Sequence, residues 1–197
     1  MTQKQKTHRL AVAAMLTAVA AVLQFVEFAI PLMPSFIKLD ISDLPALLGT
    51  FSLGPVYGVA IQLAKNLLHL PFGSSAGVGE LSNFILGAVF VFVAGIIYKH
   101  NKSRKSALVG SVAGAAAMAL VSIVTNYFIV YPAYVVLYKL PLEAIVGMYE
   151  AILGGVSHVP TQNALLNCLL VFNVPFTLVK GLLDTALCFL IYKPLSP

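Results

Sequence analysis

The feature that most constrains this chain is a series of apolar runs, each long enough to cross a lipid bilayer as a helix. They occupy residues 10–30, 44–70, 81–98, 106–137 and 165–192. A transmembrane helix needs about 20 apolar residues, and the backbone inside lipid must satisfy its own hydrogen bonds. The runs are continuous rather than alternating, which excludes a β-barrel. The sequence therefore predicts an all-α membrane protein.

Composition and length limit what else the chain could contain. Hydrophobic residues make up 59% and charged residues 10% of its 197 residues, whereas soluble domains carry about 25% charged residues. The length allows six or seven passes and leaves no stretch for a catalytic or nucleotide-binding domain. We therefore expect a single transmembrane domain over residues 1–197. The net charge of +5 lies mainly at the ends of apolar runs, so it is interpreted as a topology signal rather than as a nucleic-acid surface.

Basic side chains set the orientation of the helices. They cluster at the N-terminus and in the loop at 99–105. By the positive-inside rule both clusters are cytoplasmic, so an even number of helices must separate them. The run at 44–70 is therefore expected to be two helices broken at Gly54-Pro55, because Pro55 suits the first turn of a new helix. The prediction is six transmembrane helices with both termini in the cytoplasm.

In this topology the polar side chains gather in the outer half of the membrane, where each is a candidate for function. They are Asp40, Ser42, Asp43, Lys65, Asn66, His69, Glu80, Asn83, Asn126, Tyr127, Tyr131, Asn173, Thr177 and Lys180. A channel would need polar groups through the full depth of the membrane. The distribution instead predicts a cup, open outward and sealed inward, for a polar, planar or amide-containing small molecule. Glu80, Asn83, Asn126 and Lys180 are expected to hold it.

Several of these side chains also have simpler interpretations. Lys65 could simply extend to the membrane surface, and Asn126 could simply form a hydrogen bond between helices. Lys180 lies too deep for that and needs a carboxylate or a ligand as its partner. Glu80 or a ligand is the expected partner, and Asp184, four residues later, is the alternative.

Two alanines on the first helix, Ala14 and Ala18, form a small face that allows close helix approach. They could pack inside the chain or dock another membrane subunit. Several motifs are absent from the sequence: there is no Gly-x-x-x-x-Gly-Lys-Ser/Thr loop to couple ATP and no His-Glu-x-x-His zinc motif. We therefore expect no enzyme activity, no cofactor and no metal. His69 and His158 are interpreted as structural or solvated residues rather than metal ligands.

Eight stretches carry a family resemblance. They are KLDISDLPALL at 38–48, LGPVYG at 53–58, KNLLH at 65–69, GVGELSNF at 77–84, NYF at 126–128, YP at 131–132, PLE at 141–143 and VPFTLVKG at 174–181. Over nearly its whole length the chain resembles the riboflavin-specific S components of energy-coupling factor (ECF) transporters, the RibU family.

The resemblance implies the six-helix ECF S-component fold in the cell membrane, with the loop after the first helix as a lid over an outward-facing riboflavin pocket. The family's motif Pro-Phe-Asn-x-x-Lys has Thr177 in place of its Asn, so either one contact is missing or Asn173 replaces it. Combined with the polar residues above, the predicted substrate-binding residues are Leu39, Asp40, Ile41, Lys65, Asn66, Glu80, Leu81, Asn83, Asn126, Tyr131, Asn173, Thr177 and Lys180.

The resemblance also implies partners. Ala14 and Ala18 match the family's docking motif for a transmembrane T component, which in turn binds two ATPase subunits. Riboflavin would be the transported ligand, captured from outside and released inward by ATP-driven partners. The alternatives are an S component for another planar vitamin, a small intramembrane enzyme, or a structural subunit.

Overall fold

The computed structural model describes residues 2–31, 33–34, 37–73, 75–139, 141–152 and 164–195. Nearly all of this part of the chain is helical. The α-helices are α1 (Gln3–Gln24), α2 (Asp43–Leu53), α3 (Pro55–His69), α4 (Val78–His100), α5 (Arg104–Thr125), α6 (Tyr131–Tyr138), α7 (Leu142–Ile152), α8 (Ala164–Cys168) and α9 (Val174–Leu195). Two short antiparallel strands, β1 (Phe28–Ala29) and β2 (Lys38–Leu39), pair within the loop between α1 and α2.

Four helical stretches in the described residues are long and apolar enough to cross a membrane. They are Gln3–Gln24, Val78–His100, Arg104–Leu137 and Ala164–Ile191. The shorter α2 and α3 are joined by Gly54, whose φ of 113° is a left-handed conformation that favours glycine, and α3 then begins at Pro55. The break predicted from charge parity is therefore present. Within the described residues, α1, α2, α3, α4, the α5–α6 stretch and the α8–α9 stretch give the six predicted helical units.

The short helix α2 lies inside the bundle rather than at its surface. It contacts α1, α3, α4 and α9, and most of its side chains are buried. At about 1.5 Å per residue, its 11 residues are shorter than the full thickness of the hydrocarbon layer. The surrounding helices cover its ends, which is the condition under which a helix this short is tolerated at membrane depth. As a result, Asp43 at its start lies in the interior of the bundle.

Two π-helical segments interrupt the long stretches at the same end of the bundle. Asn126–Val130 separates α5 from α6, and Leu169–Asn173 separates α8 from α9. A π-segment inserts an extra residue into a helical turn and is often found at functional sites. A cluster of buried apolar side chains surrounds these segments and includes Ile145 and Tyr149 of α7. The two segments bring Asn126 and Asn173 to the wall of one cavity.

Candidate functional site

A cavity of about 330 Å³ lies at the end of the bundle that carries the first loop. Helices α4, α5 and α9, both π-segments, and the loops before α2 and α4 contribute to its wall. This volume falls within the range of small-molecule sites, about 300–1,000 Å³. Charge topology assigns this end of the bundle to the outer side of the membrane. The outward-facing cup that the polar side chains predicted therefore coincides in position with this cavity.

The structure brings together eight of the predicted substrate-binding residues. Those that line the cavity are Asp40, Glu80, Asn83, Asn126, Tyr131, Asn173, Thr177 and Lys180. The remaining five, which do not line it, are Leu39, Ile41, Lys65, Asn66 and Leu81. Leu81 is 47% exposed, and Leu39 and Ile41 are half-buried in the first loop.

Lys180 of α9 joins the last helix to the first loop. Its Nζ donates to Asp40 Oδ2 at 2.8 Å and to Asn83 Oδ1 at 3.1 Å, and it lies 3.5 Å from Asp43 Oδ2. The prediction that Lys180 pairs with Glu80 is therefore wrong, because the loop carboxylate occupies that place. Asp40 also accepts hydrogen bonds from the backbone N–H and hydroxyl of Ser42. Burial alone would raise the pKa of Asp40, but Lys180 and Lys65 outweigh this effect and hold the pKa below its usual value.

Lys65 of α3 does not extend to the membrane surface. It is fully buried, and its Nζ lies 2.5 Å from both Asp43 Oδ1 and Ser42 Oγ. Gln62 Nε2 donates to the same Asp43 oxygen at 2.8 Å. This pairing fixes the first turn of α2 against α3 beneath the loop, so the role of Lys65 is to hold the floor of the site.

Asp184 of α9 has a different environment. Its exposed fraction is 0%, and neither carboxylate oxygen has a hydrogen-bond partner within the described part of the chain. The alternative prediction of a direct pair with Lys180 is therefore wrong, since Lys180 turns toward Asp40 and Asn83 instead. With Asp40, Asp43, Lys65 and Lys180, this interior region contains three carboxylates and two ammonium groups.

Glu80 of α4 is held by residues at the cavity rim. Its Oε1 lies 2.9 Å from His69 Nδ1, and its Oε2 accepts from Ser75 Oγ at 2.8 Å. Gly73 covers this carboxylate so closely that a Cβ at position 73 would lie 1.9 Å from Oε1. The side chain of His69 therefore serves to orient Glu80, in agreement with its predicted structural role, whereas His158 lies outside the described residues.

Asn66 links helices instead of facing the cavity. Its Oδ1 accepts from Gln24 Nε2 of α1 at 3.0 Å, and its Nδ2 donates to the Gln62 carbonyl at 2.8 Å. Next to this contact the ring of Phe25 lies 4.9 Å from that of His69 and 5.3 Å from that of Phe72, measured between centroids. These aromatic rings form part of the rim.

Tyr131, Tyr149 and Asn173 form a buried ring of hydrogen bonds beside the cavity. The two hydroxyl oxygens are 2.5 Å apart, Tyr149 donates to Asn173 Oδ1 at 3.0 Å, and Asn173 Nδ2 donates to Tyr131 at 2.9 Å. Tyr149 belongs to α7, which lies between the predicted apolar runs at 106–137 and 165–192. Sequence analysis also missed Gln24, Met118 and Phe176 as cavity residues. Of these, only Phe176 had a visible signal, because it lies within the VPFTLVKG stretch.

Ala14 and Ala18 lie on the exposed face of α1. The buried positions of the helix, Ala20, Ala21 and Gln24, face the bundle instead. Of the two interpretations of the alanine pair, internal packing is therefore wrong, and the small face is free on the outside of the bundle.

Comparison with known proteins gives a consistent family assignment. The family described as "ECF transporter, substrate-specific component" matches residues 8–192. The chain is 34% identical over 192 residues to the riboflavin transporter RibU of Staphylococcus aureus, covering 98% of this chain and 92% of that protein. It is 31% identical over 195 residues to the riboflavin transporter FmnP of Bacillus subtilis, covering 98% and 94%.

A solved structure agrees with this assignment. It is described as the S component of a bacterial ECF transporter, and it superposes with a TM-score of 0.73 at 34% identity, covering 96% of each chain. The matched region takes in the helical bundle and the cavity, and the apolar helices are those of a multi-pass protein of the cell membrane. The chain therefore belongs to the family of substrate-specific S components of ECF transporters.

Proposed function

We propose that this chain captures riboflavin from outside the cell and delivers it to an ECF-type importer. The observation that supports this most strongly is the cavity, whose polar wall lies at the outer end of a bundle that is closely related to proteins named riboflavin transporters. Riboflavin is uncharged and combines a planar ring with a polyhydroxyl chain. A cavity with apolar walls and a few convergent polar groups suits such a molecule.

The cavity residues divide into groups with different proposed roles. Lys180 and Asn83 would present donors and acceptors to the ring, and Asn126 and Asn173 would contribute amides from the two π-segments. Glu80 would accept hydrogen bonds from hydroxyl groups of the ligand, because a carboxylate has more acceptor sites than the two that His69 and Ser75 use. Asp40, Tyr131 and Thr177 complete the polar wall. Leu39, Ile41, Lys65, Asn66 and Leu81 would act indirectly, by shaping the loop and the floor.

The energy for release would come from other subunits. The sequence has no phosphate-binding loop, so we propose that a transmembrane T component docks against Ala14 and Ala18 and that two ATPase subunits drive transport. The outward-facing alanine pair gives such a subunit a place to approach the helix closely. In this proposal the chain is a binding subunit rather than an enzyme, and riboflavin is its cargo rather than a cofactor.

Purification without added ligand tests this function. The detergent-solubilised chain is expected to be yellow, to show the absorption of an oxidised flavin, and to release riboflavin on denaturation. Mass spectrometry of the released compound separates riboflavin from FMN. A colourless preparation that binds thiamine or biotin would establish an S component for another vitamin. Turnover of the bound molecule by the isolated chain would establish an enzyme.

A further inference from the structure

The ring formed by Tyr131, Tyr149 and Asn173 has a defined hydrogen-bond balance. All three side chains are at most 2% exposed, so their polar groups are shielded from bulk water and bond within the protein. Each tyrosine has one O–H hydrogen, and the amide of Asn173 has two N–H hydrogens and one carbonyl oxygen. These numbers determine which bonds the ring can form and which groups remain for a ligand.

The three bonds run in one direction around the ring. Asn173 donates to Tyr131, and Tyr149 uses its only hydrogen to donate to Asn173. Tyr131 must therefore donate to Tyr149 across their 2.5 Å contact. If the oxygen and nitrogen of the Asn173 amide exchanged places, all three bonds would reverse their direction. Asn173 would still use one N–H and one carbonyl lone pair. In either direction Asn173 keeps one N–H and one carbonyl lone pair for another partner.

The position of Asn173 makes these remaining groups useful to a ligand. Asn173 and Tyr131 line the cavity, whereas Tyr149 contacts them from α7 and does not line it. Asn173 also precedes Thr177 by four residues, so the two side chains share one face of the helix end. Thr177 also lines the cavity, so an amide at position 177 would approach the same part of it.

Building on the proposed riboflavin site, we propose that Tyr149 is a positioning residue that holds the amide of Asn173 in a fixed plane. In this plane the remaining lone pair of the Asn173 carbonyl accepts a hydrogen bond from the imide N–H of the flavin ring. Fixing the amide before binding lowers the entropic cost of forming this directed hydrogen bond.

Riboflavin titration of four variants tests this proposal. Tyr149→Phe keeps the ring volume and removes one hydroxyl, so the dissociation constant should rise about 3- to 10-fold, as expected for one net hydrogen bond. Asn173→Ala should raise it about 10- to 100-fold, because the buried imide N–H of the ligand would be left without its acceptor. Adding Thr177→Asn to Asn173→Ala should recover most of this loss. In that double variant Tyr149→Phe should change the dissociation constant less than about twofold, since the amide it positions is gone.

A methylated ligand separates positioning from a merely structural role. N3-methyl riboflavin lacks the imide N–H, so the wild-type chain should prefer riboflavin over it, and Tyr149→Phe should reduce this preference. Tyr127→Phe, a change of the same chemistry on the same π-segment but away from the cavity wall, should leave both affinities unchanged. If Tyr149→Phe folds poorly, Tyr131→Phe breaks the same ring and should show the same loss of preference.

Two results would overturn the inference without affecting the proposed function. One is riboflavin binding by Tyr149→Phe with wild-type affinity. The other is an equal loss of affinity for riboflavin and for N3-methyl riboflavin, which would indicate a structural effect alone. Failure of the wild-type chain to bind riboflavin would instead overturn the proposed function itself.

Discussion

Lys180 and Asp40 are 140 positions apart in the sequence and form a buried ion pair with an Nζ–Oδ2 distance of 2.8 Å. The pair connects the last helix to the loop that lies over the cavity. Asn83 and Asp43 contact the same ammonium group from α4 and α2. Lys180 thus links α9, the first loop, α4 and α2 around the site. A ligand that accepts a hydrogen bond from Lys180 would change its contacts with all three partners.

Removing the charge of Asp40 should loosen the loop. In Asp40→Asn the amide keeps the size of the side chain but loses the ion pair, while Asp43 remains near Lys180 and limits the effect. We expect riboflavin to dissociate about 10-fold faster, a loss of about 1.4 kcal/mol. Stopped-flow fluorescence measures this rate directly. The matched control is Glu143→Gln on the exposed side of α7, and an equal acceleration in both variants would contradict a specific role for the loop pair.

The same chemical change at two buried aspartates should have opposite effects on stability. Asp43→Asn leaves Lys65 fully buried without its closest counter-charge, which typically costs about 3–5 kcal/mol. Asp184→Asn instead removes a carboxylate whose oxygens have no hydrogen-bond partner in the described residues, and the region becomes electrically balanced. Its thermal midpoint should equal or exceed that of the wild type.

Thermal unfolding in detergent, followed by scanning fluorimetry, compares the two aspartate variants. The expected order of the midpoints is Asp184→Asn at or above wild type, and Asp43→Asn well below it. If Asp184→Asn were the more damaging change, the carboxylate of Asp184 would have to hold a partner that this account does not include.

Gly73 should be required for the orientation of Glu80. In Gly73→Ala the new methyl group would come within 1.9 Å of the Glu80 carboxylate, so either the loop or the carboxylate must move. We expect riboflavin affinity to fall about 10-fold with little loss of overall stability. Gly147→Ala is the control, because nothing lies within 4 Å of a Cβ at that position. A Gly73→Ala variant that binds as the wild type does would show that Glu80 has no fixed role in the site.

The alanine face of α1 should matter for transport and not for binding. Ala14→Leu and Ala18→Leu place larger side chains on the exposed side of the helix, where they would block close approach of a T component. Riboflavin uptake by cells should fall at least about 10-fold, while the purified chain keeps its affinity. Ala116→Leu on the exposed face of α5 is the matched control. Equal losses of uptake in all three variants would argue against a docking face on α1.

The number of helices could be predicted because it depends on local signals. Apolar run length, basic clusters and the Gly54-Pro55 break are all visible in the sequence, and together they require six helices. Several polar residues of the cavity wall could also be predicted from the sequence, since a polar side chain inside an apolar helix is rare and therefore conspicuous. These residues could be recognised without knowledge of their neighbours in space.

Pairing between distant residues could not be predicted in the same way. Glu80 and Asp40 were both available to Lys180, and only the path of the first loop decides between them. Lys65 resembled a surface lysine because its partner Asp43 is 22 positions away, at the start of a helix too short to span the membrane. Tyr149 gave no signal, because its importance comes from two hydrogen bonds to residues on other helices. The π-segments likewise arise from tertiary packing rather than from a local motif.

The central claim is that the cavity binds riboflavin, and an equilibrium titration of the purified, ligand-depleted chain tests it most directly. Flavin fluorescence should be quenched on binding, with saturation at an equimolar ratio, and Lys180→Ala should weaken the binding at least about 100-fold. Unchanged flavin fluorescence across the titration, with a folded wild-type chain, would contradict the account.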